Sequence, residues 1–155
     1  MACGYRYKGS NVANNVCEYG ALQDGLEYAR TALEGIHTHL AIHGDSNMII
    51  DERNGLAATT TPQLRKHAVA VDNIASHLAW ASWTHVRREH NKMADFLANV
   101  AMDSRGRRTL TPSTRDSEAT RFQQVQKLMN NDMKCVASQM RTGSLTRVIT
   151  RFLVS

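Results

Sequence analysis

Residues 14–26 read NNVCEYGALQDGL, a stretch in which apolar residues recur at intervals of three and four. Tyr19, Leu22 and Leu26, continued by Ala29 and Leu33, share one face of an amphipathic helix. The spacing predicts a helix over residues 16–33, with Glu18 in its first turn. Gly35 closes it, because glycine adopts the left-handed conformation that ends helices at little cost. Ser10 to Asn15 is polar and loop-like. Before it, ACGYRYK (residues 2–8) is short and partly alternating, as a strand is.

Downstream, short apolar runs alternate with helical patterns. Thr38 to Gly44 reads as a strand centred on Leu40 and Ile42, ending at Asp45-Ser46. Residues 46–53 suit a short helix carrying Met48, Ile49 and Ile50. Three threonines and Pro62 start another helix, continued by Leu64, Ala68, Val71, Ala75 and Leu78. Residues 80–87 read as a strand. Asn91 is a good N-cap for a helix carrying Ala94, Leu97, Ala98 and Ala101. Strands separated by helices predict an α/β fold with parallel pairing.

The chain has 155 residues, 42% of them hydrophobic and 21% charged, enough for one packed domain and too apolar for wholesale disorder. No run reaches the ~18 apolar residues of a membrane span, so no membrane partner is expected. The N-terminus has no apolar stretch of signal length. Three scattered cysteines without a CxxC argue against a disulfide framework and suit a reducing, intracellular compartment, nuclear or cytoplasmic alike. There is no internal repeat, GxGxxG, Walker loop or HExxH.

Charge divides the chain. Residues 1–103 hold 9 Lys+Arg against 11 Asp+Glu, a balance of −2, and residues 104–155 hold 10 against 3, a balance of +7. This suggests a domain over residues 1–103, a linker over 104–117 (SRGRRTLTPSTRDS) and a basic helical tail over 118–155. Phe122, Val125, Met129, Met133, Val136 and Met140 form the tail's apolar stripe, with Arg121, Lys127 and Lys134 on its other faces. Such a stripe packs on a core or a partner. The excess charge suits a polyanion such as nucleic acid, or is simply solvated.

Glu18, Asp45 and Asp95 lie where an α/β sheet gathers strand C-termini and helix N-termini, the edge at which ligands bind. Clustered carboxylates there would take hard cations such as Mg²⁺. Two such ions could act on a phosphodiester. Each carboxylate also has a purely structural reading, since the helix dipole favours acids in a first turn by about 0.3–1 kcal/mol. His39, His43 and Asp45 share a strand face, where a zinc site competes with the plainer reading of core or hydrogen-bonded histidines. Trp80 and Trp83 suit packing at the sheet better than stacking on bases.

Three segments together resemble a known family. Residues 14–26 are similar to its first-helix motif NN-x-x-EY-x-AL-x-x-GL, and residues 40–46 (LAIHGDS) to its strand ending in DS. Residues 86–98 (VRREHNKMADFLA) are similar to its closing V-x-R-x-x-N-x-x-AD-x-LA. The family is that of ribonuclease H-like domains, here type 1, in the plant and retroelement style, over about residues 2–103. The resemblance implies a mixed sheet with flanking helices and hydrolysis of the RNA strand of RNA–DNA hybrids with Mg²⁺ or Mn²⁺. It implies Glu18, Asp45 and Asp95 as catalytic and metal-binding residues. Asn14, Asn15, Ser46, Arg88 and Asn91 are implied in nucleic-acid binding, and His90 is a candidate proton shuttle. RNA–DNA hybrid or another nucleic acid is the implied partner, with a place in a larger polyprotein.

One departure matters. The family's fourth carboxylate stands on its first strand, and Glu18 is the first acidic residue of this sequence. The first strands are therefore expected to be missing, the two-ion site impaired, and the middle of the sheet left with an unpaired edge. A non-catalytic nucleic-acid-binding module, or a decayed retroelement fragment, is the alternative reading.

Overall fold

The computed structural model describes residues 3–6, 13–34, 39–78, 80–110, 116–139 and 150–151. In chain order the elements are β1 (Cys3–Arg6), α1 (Asn14–Ala32), β2 (His39–Gly44), α2 (Asn47–Arg53), α3 (Pro62–Ala75), β3 (Trp80–His85), α4 (Lys92–Ser104), β4 (Arg107–Leu110), α5 (Asp116–Gln139) and β5 (Thr150–Arg151), with a 3-10 turn over Arg88–His90. The expected α/β class holds. Gly35 and Met140 lie outside the described residues, as do the ends of the stretch 2–8.

β2 and β3 pair in parallel, from His39 opposite Trp80 to Gly44 opposite His85. Parallel neighbours need a crossover, which α2 and α3 supply. Leu40, Ala41, Ile42 and His43 are all buried, because a strand covered on both faces has no polar side. Tyr19, Leu22, Leu26 and Ala29 of α1 meet Leu64, Ala68 and Val71 of α3 over Leu40 and Ile42. Trp83 packs at the border of this core, as a sheet residue would. Full burial of a side chain such as Leu26 contributes about 1.5–3 kcal/mol. The Tyr19 hydroxyl donates to Glu52, and the Arg53 guanidinium lies 5.9 Å from the Tyr19 ring centroid. These contacts tie α1 to the end of α2.

Three findings differ from the sequence reading. α1 begins at Asn14, and no acidic residue falls in its first turn. Glu18 therefore sits one turn deeper than expected, where the helix dipole explains it less well. The free side of β2 is not left open either: Thr150 and Arg151 pair with Ile42 and His43 in parallel, so β2 is the middle strand of three. The expected unpaired edge gains backbone partners there. Finally, residues 107–110, a linker by composition, form β4, which pairs antiparallel with β1 in a separate two-stranded ribbon.

α5 packs on α4. Met93, Leu97 and Ala101 form a second core with Phe122 and Val125, flanked by Leu128 and Met129. The tail stripe thus covers the site-bearing helix, while Arg121, Lys127 and Lys134 stay exposed. Among the described residues no helix is long and apolar enough to cross a membrane.

Candidate active site

The ends of β2 and β3 bring the three motifs together. Val86, just past β3, donates its N–H to the Gly44 carbonyl at 2.8 Å. This sets the turn Arg87–Asn91 beside Asp45, at the C-terminal edge of the parallel strands. Asp45 follows β2 directly, and Asp95 occupies the first turn of α4.

Each carboxylate has a distinct setting. Asn14 Nδ2 donates to Glu18 Oε1 at 3.2 Å, whereas Glu18 Oε2 is buried with no hydrogen-bond partner of good geometry among the described residues. Burial raises the Glu18 pKa; the Ser46 hydroxyl opposes the rise, the Asp45 charge adds to it, and Arg88 opposes it. Asp45 Oδ1 accepts from Asn91 Nδ2 at 2.9 Å. Asp95 Oδ1 accepts from Arg88 Nη2 at 2.9 Å. Arg88 is held in its cationic form first by the hydrogen bond to Asp95, then by the charges of Asp95, Asp45 and Glu18. Asp95 thus hydrogen-bonds the Arg88 guanidinium, while the Asp45 and Glu18 charges act on it electrostatically.

Asn91 stands at the N-cap position of α4, as expected, but its side chain does not cap that helix. It is 2% exposed and holds Asp45 instead. The cap comes from a residue that sequence reading missed. Asp132 of α5, also 2% exposed, accepts the Met93 N–H at 3.0 Å through Oδ2. A visible signal existed: Asp132 lies on the apolar stripe between Met129 and Val136.

The remaining expected residues are spread around this edge. Asn15 Nδ2 lies 3.6 Å from Met48 Sδ, a contact from α1 to α2. Ser46 precedes α2 and faces Glu18. His90 Nε2 lies 3.6 Å from Glu89 Oε1. His43 is fully buried, in keeping with a core histidine.

No three His, Cys, Asp or Glu side chains among the described residues are set to hold one metal ion. Glu18 and Asp45 do fit a hard divalent cation in part. They are like-charged, both offer oxygen donors, and Glu18 has a buried oxygen that no described donor meets with good hydrogen-bond geometry. Asp95 would join them only on leaving its ion pair with Arg88.

Known proteins resemble this chain in sequence and in fold. Residues 1–101 match the family described as reverse transcriptase-like. The chain is 34% identical over 90 residues to ribonuclease HI of Halobacterium salinarum, covering 58% of this chain and 44% of that protein. It is 34% identical over 91 residues to the bifunctional protein Rv2228c of Mycobacterium tuberculosis, covering 59% and 24%. The match therefore spans less than half the length of these curated relatives. Among solved structures, the N-terminal RNase H domain of Rv2228c, fused to maltose binding protein, superposes with a TM-score of 0.56 at 33% identity, over 60% of this chain and 65% of that one. RNase H1 of Halobacterium salinarum superposes with a TM-score of 0.54 at 31% identity, over 66% and 86%. These relatives are archaeal and mycobacterial, and they support the family rather than its plant or retroelement branch. The site edge formed by Glu18, Asp45 and Asp95 lies wholly within the matched residues, and the chain belongs to the reverse transcriptase-like family of ribonuclease H-like domains.

Proposed function

We propose that this chain is a nucleic-acid-binding domain of ribonuclease H type, which hydrolyses the RNA strand of RNA–DNA hybrids inside the cell with Mg²⁺ or Mn²⁺. The observation that carries this reading is that, at the C-terminal edge of β2 and β3, Arg88 hydrogen-bonds Asp95 while Asp45 and Glu18 act on it and on one another through their charges. Glu18 and Asp45 would hold the cation. When bound, a divalent ion supplies Lewis acidity toward a phosphoryl oxygen and lowers the pKa of water. Asn91 and Asn14 fix the orientations of Asp45 and Glu18, so both carboxylates are positioned before substrate arrives. Arg88 presents a guanidinium suited to a phosphate, and Asp95 orients it. His90, on the same turn, would accept or return a proton. With three matched carboxylates, metal binding is weak and turnover slow.

The Arg88–Asp95 ion pair favours one second reading. If Asp95 stays with Arg88, the domain binds hybrid without cleaving it. Incubating the chain with a labelled RNA–DNA hybrid in Mg²⁺ and in Mn²⁺ separates the two. Slow cleavage that disappears in Asp45→Asn while hybrid binding persists supports the enzyme. Binding without cleavage supports the second reading, and absence of both overturns the proposal.

A further inference from the structure

Positive charge is uneven along the tail. α5 carries Arg121, Lys127 and Lys134 against Asp116, Glu118 and Asp132, and is neutral overall. A denser concentration lies where β4 meets β1. Arg6, Arg105, Arg107 and Arg108 fall within residues 3–6 and 105–110, which contain no carboxylate. The register sets Arg6 directly opposite Arg107 and Tyr5 opposite Arg108. By sequence Arg6 falls in the domain and the other three arginines in the linker; the pairing joins them.

Like charges directly opposed in an antiparallel pair destabilise it, and a polyanion bound there would relieve the repulsion. Arg105 and Arg107 are exposed. Arg105 also takes the left-handed position that ends α4, with φ at 48°. That position suits glycine far better than a side-chain-bearing residue, and Gly106 stands next to it. An exposed arginine in a conformation that glycine prefers is more readily explained by what its side chain binds than by the turn.

We infer that the β1–β4 ribbon is a phosphate-binding surface, separate from the carboxylate edge, which grips the backbone of a nucleic-acid duplex without reading its sequence. The inference rests on the nucleic-acid reading above and locates part of the contact. Guanidinium groups match phosphate oxygens in pairs, and backbone contacts set position rather than specificity. Asp95 and Arg105 are ten positions apart, about 15 Å along a helix axis at 1.5 Å per residue. With phosphates ~3.4 Å apart along each strand, that reach is roughly four to five phosphates. One duplex can therefore lie against the carboxylate edge and the ribbon together.

The test measures the affinity of the full chain for a fluorescent RNA–DNA hybrid, and for duplex DNA of the same length, over a salt series. Arg6→Ser with Arg107→Ser, the cross-strand pair on one face, should weaken binding on the order of tenfold at 0.1 M salt and lower the salt slope by about 2. Arg6→Lys with Arg107→Lys should keep the slope. Arg105→Gly relaxes the turn, so it folds at least as well while lowering the slope by about 1. Neutralising Arg121, Lys127 and Lys134 together should leave the slope unchanged. Hybrid binding with an unaltered slope in the Arg105 and Arg6/Arg107 variants overturns the ribbon and leaves the ribonuclease H reading standing. Equal losses in the ribbon and α5 variants also overturn it, as a general charge effect. Ribbon-dependent binding to duplex DNA, with neither hybrid binding nor cleavage, keeps the ribbon and removes the ribonuclease H reading. Failure to bind either duplex removes both.

Discussion

Arg88 Nη2 lies 2.9 Å from Asp95 Oδ1, and the same guanidinium acts electrostatically on Asp45 and Glu18. A cationic side chain therefore acts on the carboxylates a divalent cation would need, and the two compete. The pair is open to water, with side chains 67% and 41% exposed, so it contributes only ~0.2–1 kcal/mol. Arg88→Gln should tighten Mn²⁺ binding by up to about fivefold, because 1.4 kcal/mol corresponds to a tenfold change. Titration calorimetry with Mn²⁺ alone reads this without any turnover. Unchanged or weaker binding would show that Arg88 does not compete.

Asp132 makes the tail part of the site's support. α4 carries Asp95, and its N-terminal N–H at Met93 is satisfied from α5 rather than by Asn91. Loss of a cap costs about 0.5–2 kcal/mol. Asp132→Ala should lower the Tm by roughly 2–4 °C per kcal/mol lost in a chain of this size. Asp132→Asn keeps an acceptor oxygen and should lose less. Equal losses from the two substitutions would show that burial of the side chain matters and the cap does not.

Tyr19 offers a spectroscopic check on the core. Burial, with the hydrogen bond to Glu52 next, pushes its pKa up to about 12. The neutral phenol is the form the fold favours. Its stabilising contribution is fully present below the ordinary 10.0 and is lost as pH rises through about 12. Tyr19 should titrate late in the ultraviolet difference spectrum, and that late step should disappear in Tyr19→Phe. A curve in which that substitution removes an ordinary tyrosine would contradict the buried Tyr19–Glu52 pair.

Where local pattern and tertiary environment agreed, the sequence was readable. The stripe Tyr19, Leu22, Leu26, Ala29 became the buried face of α1, and the apolar run at Leu40–Ile42 became a strand covered on both sides. Asp45 and Asp95 stand at element ends, as motif spacing predicts, whereas Glu18 lies a turn inside α1. Non-local partners were not legible. Nothing in RRTL announces a strand whose partner lies about a hundred residues upstream. Asn91 was placed correctly as the N-cap by position, yet its amide serves Asp45, 46 residues away. Asp132 is hidden in the sequence because an acid at helical spacing within an apolar stripe does not reveal that it is a buried acceptor for a helix 39 residues away.

Glu18 gives the most direct test of the site's electrostatics. Burial raises its pKa above the ordinary 4.5, and the Asp45 charge adds to the rise. The folded chain thus holds this proton more tightly than the unfolded chain does. The stability that protonated Glu18 contributes is fully present below pH 4.5 and is lost as pH rises through the raised folded value. Above that window a buried carboxylate stands beside Asp45 and opposes folding. Glu18→Gln removes the charge but keeps an oxygen for Asn14 Nδ2. The variant should therefore be more stable than the parent near neutral pH, with the advantage shrinking as pH falls toward 4.5. Urea unfolding between pH 4 and 8 measures the difference. Mg²⁺ should reverse the order, because an ion that binds only the folded parent stabilises it by mass action. That stabilisation should fade on acidification, since the proton and the ion compete for the same oxygen. If Glu18→Gln is less stable than the parent at neutral pH without metal, the buried charge is compensated within the protein, and Glu18 is then a structural acid rather than a ligand waiting for a cation.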